Sequence, residues 1–196
     1  TLHCKYDEVS AILIGDGLNT YSFYLLANAH FAPSVVAELI SCLAENGGIG
    51  GMVLGQALDC YFEHTTLPLD KLQFIHTHKT AKLIAASLKM GAIIANLSLD
   101  MQKFLYDFGL VLGLYFQIRD DIIDSIQDES ISGKTANNDT NKNSYVNLMG
   151  LNGAKNALKE HGDLLQKDLE KLQTLGYDRL YANLNELLES YLKPLD

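Results

Sequence analysis

The stretch Phe108–Asp124, with the sequence FGLVLGLYFQIRDDIID, decides the fold class of this chain. Apolar residues and glycines run almost without interruption from Phe108 to Ile118, which indicates a helix that is buried on nearly all sides. The run is about half of the roughly 20 residues that a membrane-spanning helix needs. We therefore predict a helix over residues 101–124 that lies at the centre of a globular fold.

The segments on either side of this stretch show a helical spacing of apolar residues and no alternating pattern of useful length. Proline, which costs about 3 kcal/mol inside a helix, occurs only at positions 33, 68 and 194. The chain of 196 residues is therefore predicted to be a single all-α domain, a multi-helix bundle over residues 1–196. The further predicted helices cover residues 9–30, 33–43, 52–64, 68–88, 158–175 and 180–192.

Residues 125–144 break the helical pattern, because they are rich in Asp, Asn, Ser, Thr and Lys and carry few apolar side chains. A polar segment of this length in a compact domain is either functional or disordered. We expect a loop here, which is either a lid over a bound ligand or a surface connector.

The charge and the cysteine content restrict the class of protein. The formal net charge is −9, from 15 Lys and Arg against 24 Asp and Glu, whereas a nucleic-acid-binding surface is basic. Cys4, Cys42 and Cys60 show no metal-binding spacing, so we expect free thiols in a reducing compartment. The chain opens on Thr1 without a signal-like segment, so we expect a cytoplasmic protein whose beginning precedes this sequence.

Three carboxylates lie near one stripe of the predicted central helix. Asp120, Asp121 and Asp124 fall on or beside the line of Gln117, because residues three or four apart share a helix face. Like charges at this spacing destabilise a helix unless a cation neutralises them. Oxygen ligands without a nearby His or Cys favour Mg²⁺, which commonly binds through one or two carboxylates together with phosphate oxygens. The alternative interpretation is a solvated acidic helix end.

An apolar helix below a carboxylate rim fits a phosphorylated, lipid-like ligand, whose phosphates need cationic partners. The candidates are Lys79, which lies mid-helix in an apolar context, and Lys134 and Lys142 in the polar segment. Each lysine taken alone is more often a solvated charge than a ligand. His76 and His78 lie about 200° apart on a helix, so we interpret them as structural rather than as a metal pair.

Five short motifs, found in the family's order, make the chain similar to the trans-isoprenyl diphosphate synthases. This polyprenyl synthetase family makes farnesyl and geranylgeranyl diphosphates. FQIRDDIID at residues 116–124 resembles its second aspartate-rich motif, FQxxDDxxD. The other four are similar to its AxLxGD, GQxLD, HKT and GK motifs and lie at Gly15-Asp16, residues 55–59, residues 78–81 and Gly133-Lys134.

The resemblance implies a fold of the isoprenoid synthase type with the substrate cavity among central helices, a Mg²⁺ requirement and a homodimer. It also implies a prenyltransferase reaction, in which an allylic diphosphate ionises to an allylic carbocation and condenses with isopentenyl diphosphate. The product is a longer trans-prenyl diphosphate. The polar segment over residues 125–144 is then expected to close as a lid over the bound diphosphate.

The motif positions also imply a role for each candidate residue. Asp120, Asp121 and Asp124 are expected to hold Mg²⁺, directly or through waters. Lys79, Thr80 and Gln117 are the expected catalytic residues, Lys79 as a diphosphate ligand and the other two as partial negative charges beside the carbocation. The remaining expected substrate-binding residues are Lys134 on the diphosphate, Lys142 near the leaving phosphates, and Phe116 and Gln56 in the pocket.

The family's first aspartate-rich motif lies upstream of the position that Thr1 occupies. We therefore expect residues 1–196 to be the C-terminal part of a longer synthase and to be inactive alone. Two alternatives stay open: a noncatalytic prenyltransferase-like regulatory subunit, and a terpene cyclase on the same scaffold. The DDxxD, HKT and GK motifs favour the synthase, because a structural subunit has no physical need for clustered carboxylates.

Overall fold

Every regular element is helical within residues 2–132 and 143–191, which are the residues that this computed structural model describes. This confirms the all-α prediction. The helices, in chain order, are α1 Leu2–Lys5, α2 Glu8–Ala27, α3 Pro33–Gly47, α4 Met52–Tyr61, α5 Leu69–His76, a π-helix Thr77–Ala81, α6 Lys82–Ile94, α7 Leu99–Ser132, α8 Tyr145–Thr174 and α9 Asp178–Tyr191.

Local chemistry explains where several helices begin. The Asp7 carboxylate accepts a hydrogen bond from the Ser10 backbone N–H at 2.6 Å and caps α2. Pro33 occupies the first turn of α3, where its missing N–H would have no partner in any case. The Ser144 hydroxyl accepts from the Asn147 backbone N–H at 3.1 Å and caps α8. A kink at Gly150, whose φ is 72°, then bends α8.

Helix α7 lies at the centre of the described structure, as its apolar run predicted. It packs against α5, the π-helix, α6 and α8. One of its sides contributes Phe108 and Leu112 to a core shared with α8 and α9, and its C-terminal half contributes Ile118 and Ile122 to a second core around Tyr145. Each fully buried side chain of this size stabilises the fold by about 1.5–3 kcal/mol.

The loop predicted over residues 125–144 begins too early, whereas its end at Ser144 is confirmed, because α8 begins at Tyr145. Helix α7 continues to Ser132, because Ile126 packs against the core formed with Ile122 and Tyr145 and so extends the apolar stripe by one more turn. At the other end, Asn143 is tied down by hydrogen bonds and Ser144 caps α8. Residues 133–142, with Lys134 and Lys142, lie outside the described residues, and so does the main part of the expected lid.

Helix α2 carries a broad apolar surface without burying any residue. Its exposed side chains include Val9, Leu13, Leu18 and Tyr24, each more than half exposed. None of the helices in the described part of the chain is both long enough and apolar enough to cross a membrane.

Candidate active site

The HKT motif lies on a π-helix rather than on the uninterrupted α-helix that the apolar spacing predicted. Residues Thr77–Ala81 form this element between α5 and α6, and the Lys82 backbone N–H donates to the Thr77 carbonyl five residues earlier. Single π-turns inside α-helices are rare and occur frequently at functional sites. The extra residue in the turn changes the direction in which Lys79 and Thr80 leave the helix.

Two glycines let the π-helix contact its neighbours backbone to backbone. A Cβ at Gly55 of α4 would lie 2.1 Å from the Lys79 backbone nitrogen, and a Cβ at Gly113 of α7 would lie 2.3 Å from the Ala81 Cα. Both separations are far shorter than a carbon contact of about 3.5–4.0 Å. The π-helix is therefore held between α4 and α7 at distances that only glycine permits.

This close packing connects three of the predicted site residues by side-chain hydrogen bonds. The Thr80 hydroxyl donates to Gln117 Oε1 at 3.0 Å, and Gln117 Nε2 donates to Asp121 Oδ1 at 3.0 Å. The second oxygen of Asp121 accepts from the backbone N–H of Tyr145 at 2.9 Å. The π-helix, α7 and the first residue of α8 are thus joined by one chain of hydrogen bonds.

Tyr145, whose backbone N–H ends this series of hydrogen bonds, lies in the hydrophobic core. Its side chain is fully buried and its ring centroid lies 5.6 Å from that of His76. Burial, together with the charge of Asp121, raises the pKa of Tyr145 to about 12, although the nearby Gln73 side chain opposes the shift. The phenol is therefore neutral at physiological pH and serves as a packing element beside Asp121.

Lys79 forms an ion pair with Asp59 on α4, with 2.5 Å between Nζ and Oδ2. Both side chains are about one third exposed, so the pair adds little to stability and a more highly charged anion can compete for the lysine. Asp59 is the last residue of the GQALD motif at residues 55–59, and the motif alone indicates no role for it. The signal was present, because Gly55 and Asp59 are four residues apart and share the helix face that meets the π-helix.

The three aspartates of the DDIID segment have different surroundings. Asp121 is buried, Asp120 is half-buried and Asp124 is exposed. Burial and the neighbouring charge of Asp124 raise the pKa of Asp120, while the Arg119 guanidinium opposes the shift. Across residues 2–132 and 143–191, no three acidic, His or Cys side chains are grouped so that they could hold one metal ion. The metal role of the three residues stays a prediction.

The other predicted residues lie around this network. Phe116 is half-buried and precedes Gln117 on α7, while Gln56 is exposed and follows Gly55 on α4. His78 donates from Nδ1 to the Phe74 carbonyl at 2.8 Å and packs on the Phe74 ring at 4.0 Å between centroids. These contacts support the interpretation of His78 as structural.

Asn143 anchors the segment before α8, and sequence reasoning missed it. Its side-chain amide donates to the Phe62 and Thr65 carbonyls at 2.8 and 3.0 Å, and its oxygen accepts from the Leu67 backbone N–H at 3.1 Å. The loop between α4 and α5 is thereby fixed next to the start of α8. No sequence motif signals this contact, because its partners are backbone groups about 80 positions away.

A family model described as polyprenyl synthetase matches residues 1–179. The chain belongs to this family. It is 36% identical over 196 residues to the farnesyl diphosphate synthase of Haemophilus influenzae, an alignment covering 96% of this chain and 64% of that protein. It is 41% identical over 181 residues to the farnesyl diphosphate synthase of Geobacillus stearothermophilus, and this alignment covers 90% of this chain and 61% of the relative. The chain thus spans about three fifths of the length of these curated relatives.

A solved geranyltransferase structure shares this fold. The geranyltransferase of Helicobacter pylori, solved with magnesium and isoprenyl diphosphate, superposes with a TM-score of 0.89 and is 53% identical. The superposition covers 99% of this chain and 64% of that one. Together with the family match, this confirms the isoprenoid synthase type of bundle and the resemblance drawn from the five motifs.

Proposed function

We propose that the protein of which this chain forms all or part is a trans-prenyltransferase that condenses an allylic diphosphate with isopentenyl diphosphate. The observation that carries the proposal is the Thr80–Gln117 hydrogen bond, formed on the π-helix and α7 one residue from Lys79. It places two neutral oxygens beside a cationic side chain. This combination suits a substrate that separates into a carbocation and an anionic diphosphate.

In this reaction the C1–O bond of the allylic diphosphate breaks, and its electron pair leaves with the diphosphate. The double bond of isopentenyl diphosphate attacks the allylic carbocation, and loss of a proton forms the new double bond. Lys79 leaves Asp59 to bind the diphosphate. Thr80 Oγ1, Gln117 Oε1 and a backbone carbonyl near Lys79 present partial negative charge to the cation, a preorganised stabilisation that costs no reorganisation during the reaction.

The remaining assignments complete this substrate site. We assign Phe116 and Gln56 to the pocket wall, and Lys134 and Lys142 to the diphosphate. We propose that residues 1–196 are a single all-α domain at the C-terminal end of the synthase. The three proteins cited above are named as two farnesyl diphosphate synthases and one geranyltransferase, which supports the enzyme over a regulatory subunit or a cyclase.

We propose that the acidic rim of α7 fits Mg²⁺. Asp120 and Asp124 are oxygen donors one helical turn apart, and their mutual repulsion contributes to the raised pKa of Asp120. One or two carboxylates are the usual protein contribution to a Mg²⁺ site, with phosphate oxygens and waters as the other ligands. When bound, the ion neutralises the charge that develops on the leaving diphosphate.

We also propose that the protein is a homodimer, since α2 exposes an apolar surface that a second subunit can bury. A cytoplasmic location is proposed on the basis of the free thiols Cys4, Cys42 and Cys60. Sedimentation of the full-length gene product tests the first proposal, and cell fractionation tests the second.

The activity is tested with the full-length gene product, an allylic diphosphate and radiolabelled isopentenyl diphosphate. We expect Mg²⁺-dependent incorporation of label into a longer prenyl diphosphate. Thr80→Val keeps the side-chain shape but removes the hydroxyl, and we expect a loss of about 100-fold in kcat with little change in KM. Ser87→Ala is the matched control, because its exposed hydroxyl bonds only to the Leu83 carbonyl of its own helix. Absence of product in the wild type, or a Thr80→Val rate equal to that of Ser87→Ala, would contradict the proposal.

A further inference from the structure

We infer that Asp121 is a positioning residue that fixes the orientation of the Gln117 carboxamide, rather than a metal ligand like its two neighbours in the motif. The inference rests on the proposed function, since it concerns the charge that Gln117 presents to the carbocation. It assigns different roles to three aspartates that look equivalent in the sequence.

The orientation of the Gln117 amide follows from which groups can donate a hydrogen bond. An ionised carboxylate only accepts, so the group that Gln117 directs at Asp121 Oδ1 must be its NH₂. The amide oxygen then faces the opposite way, where it accepts from the Thr80 hydroxyl at 3.0 Å. Asp121 therefore determines that Gln117 presents oxygen, and not NH₂, on the side of the π-helix.

Asp121 itself is held in place from the far side. Its Oδ2 accepts from the Tyr145 backbone N–H at 2.9 Å, at the N-terminus of α8, where the helix dipole favours a negative charge. The residue is only 8% exposed and Tyr145 is fully buried. The carboxylate thus lies in the packed contact between α7 and α8.

The neighbouring aspartates face a different environment. Consecutive residues of a helix point about 100° apart, so Asp120 and Asp121 lie on opposite sides of the line through Gln117, and Asp124 lies about 20° from that line on the Asp120 side. Asp124 is exposed and Asp120 half-buried, whereas Asp121 is buried. Asp120 and Asp124 are accordingly the candidates for Mg²⁺, and Asp121 acts through Gln117.

The near-isosteric change Asp121→Asn separates these two roles. The Tyr145 N–H still requires an acceptor, so the new amide must turn its oxygen toward α8 and its NH₂ toward Gln117. Gln117 then rotates to offer its oxygen to that NH₂ and its own NH₂ to Thr80, whose hydroxyl can accept. Every hydrogen bond survives, but the group that faces the carbocation changes from a partial negative to a partial positive charge.

The test uses calorimetry to measure the binding of two compounds to the full-length gene product, with Mg²⁺ and pyrophosphate present in every titration. One is an amine analogue of the allylic substrate, protonated where the carbocation forms, and the other is its uncharged carbon isostere. We expect the wild type to prefer the ammonium analogue. We expect Asp121→Asn to lose that preference while its affinity for the isostere stays unchanged. When Gln117→Glu is added to Asp121→Asn the preference returns, because the introduced carboxylate accepts from both the new amide and the Thr80 hydroxyl.

Kinetics supplies the second readout. We expect Asp121→Asn to lower kcat by about 100-fold without changing the Mg²⁺ concentration for half-maximal activity. The matched variant Asp120→Asn should raise that Mg²⁺ concentration. The inference is overturned if Asp121→Asn keeps the wild-type preference for the ammonium analogue, or if it raises the Mg²⁺ requirement as Asp120→Asn does. If the wild type forms no product and does not distinguish the two analogues, the proposed function itself has failed.

Discussion

Gly113→Ala is the substitution that most directly probes how the site is assembled. The new Cβ would lie 2.3 Å from the Ala81 Cα and 2.6 Å from the Ala81 Cβ. Carbon atoms in contact lie about 3.5–4.0 Å apart, so α7 and the π-helix must separate by roughly 1 Å or more at this point. The Thr80–Gln117 hydrogen bond, now 3.0 Å long, bridges the same two elements and would be lost.

The expected change in the free energy of unfolding is the balance of three effects. Overpacking of a close helix contact costs about 1–3 kcal/mol. Loss of the Thr80–Gln117 hydrogen bond costs about 0.5–1.5 kcal/mol. The higher helix propensity of alanine returns at most about 1 kcal/mol. We therefore expect a net destabilisation of about 0.5–4.5 kcal/mol, which lowers Tm by about 2–4 °C for each kcal/mol in a domain of this size.

Thermal unfolding followed by circular dichroism measures this change against Gly91→Ala. Gly91 is an exposed residue inside α6, and a Cβ there would meet no atom within 4 Å. The control variant gains helix propensity without a clash, so its Tm should rise by about 2–4 °C. If Gly113→Ala is as stable as Gly91→Ala, the close approach of α7 to the π-helix is not what the site depends on.

Three further predictions concern the rest of the fold. Asn143→Ala should reduce the free energy of unfolding by about 1–3 kcal/mol, because it removes three hydrogen bonds to the α4–α5 loop and leaves the Leu67 N–H without its acceptor. In urea denaturation the control Asn185→Ala, which removes an exposed hydrogen bond to Glu189, should change the free energy of unfolding by less than about 0.5 kcal/mol, and equal effects would contradict the anchoring role. Burial raises the pKa of the Cys42 thiol, so at pH 8 a thiol reagent should modify exposed Cys60 well before Cys42. Mass spectrometry of partly labelled protein measures the order of labelling, and faster labelling of Cys42 would be inconsistent with a buried thiol. Burial also raises the pKa of Asp168 above its ordinary value of 3.8, against the attraction of Lys171 and Lys167, so the charged form destabilises the fold at pH 7 and the penalty disappears as the pH falls through the raised pKa. Asp168→Asn should therefore raise Tm at pH 7 by an amount that shrinks toward pH 4, and a constant difference would show that the charge is not responsible.

Periodicity and composition were sufficient for the fold class and the central helix. The apolar run from Phe108 to Ile118 is a local property of the chain, and a helix that is apolar on nearly all sides has to be buried. The motifs likewise indicated which residue types belong to the site, since Thr80 and Gln117 do come into contact. The same local reasoning fails at Ser125, because the residues that follow are mostly polar and the packing of partly buried Ile126 against the core is not visible in the sequence.

Only the tertiary structure determined how the site residues are paired. Asp59 meets Lys79 from 20 positions away, and Asp121 meets the Tyr145 N–H from 24 positions away. The difference between Asp121 and its two neighbours is likewise absent from the string DDIID, since it depends on which helix packs against each face. Contacts of this kind follow from the distance between helix axes, which Gly55 and Gly113 set by permitting backbone contact with the π-helix. Sequence periodicity describes one helix at a time, and therefore determines which face is buried but not which partner it meets.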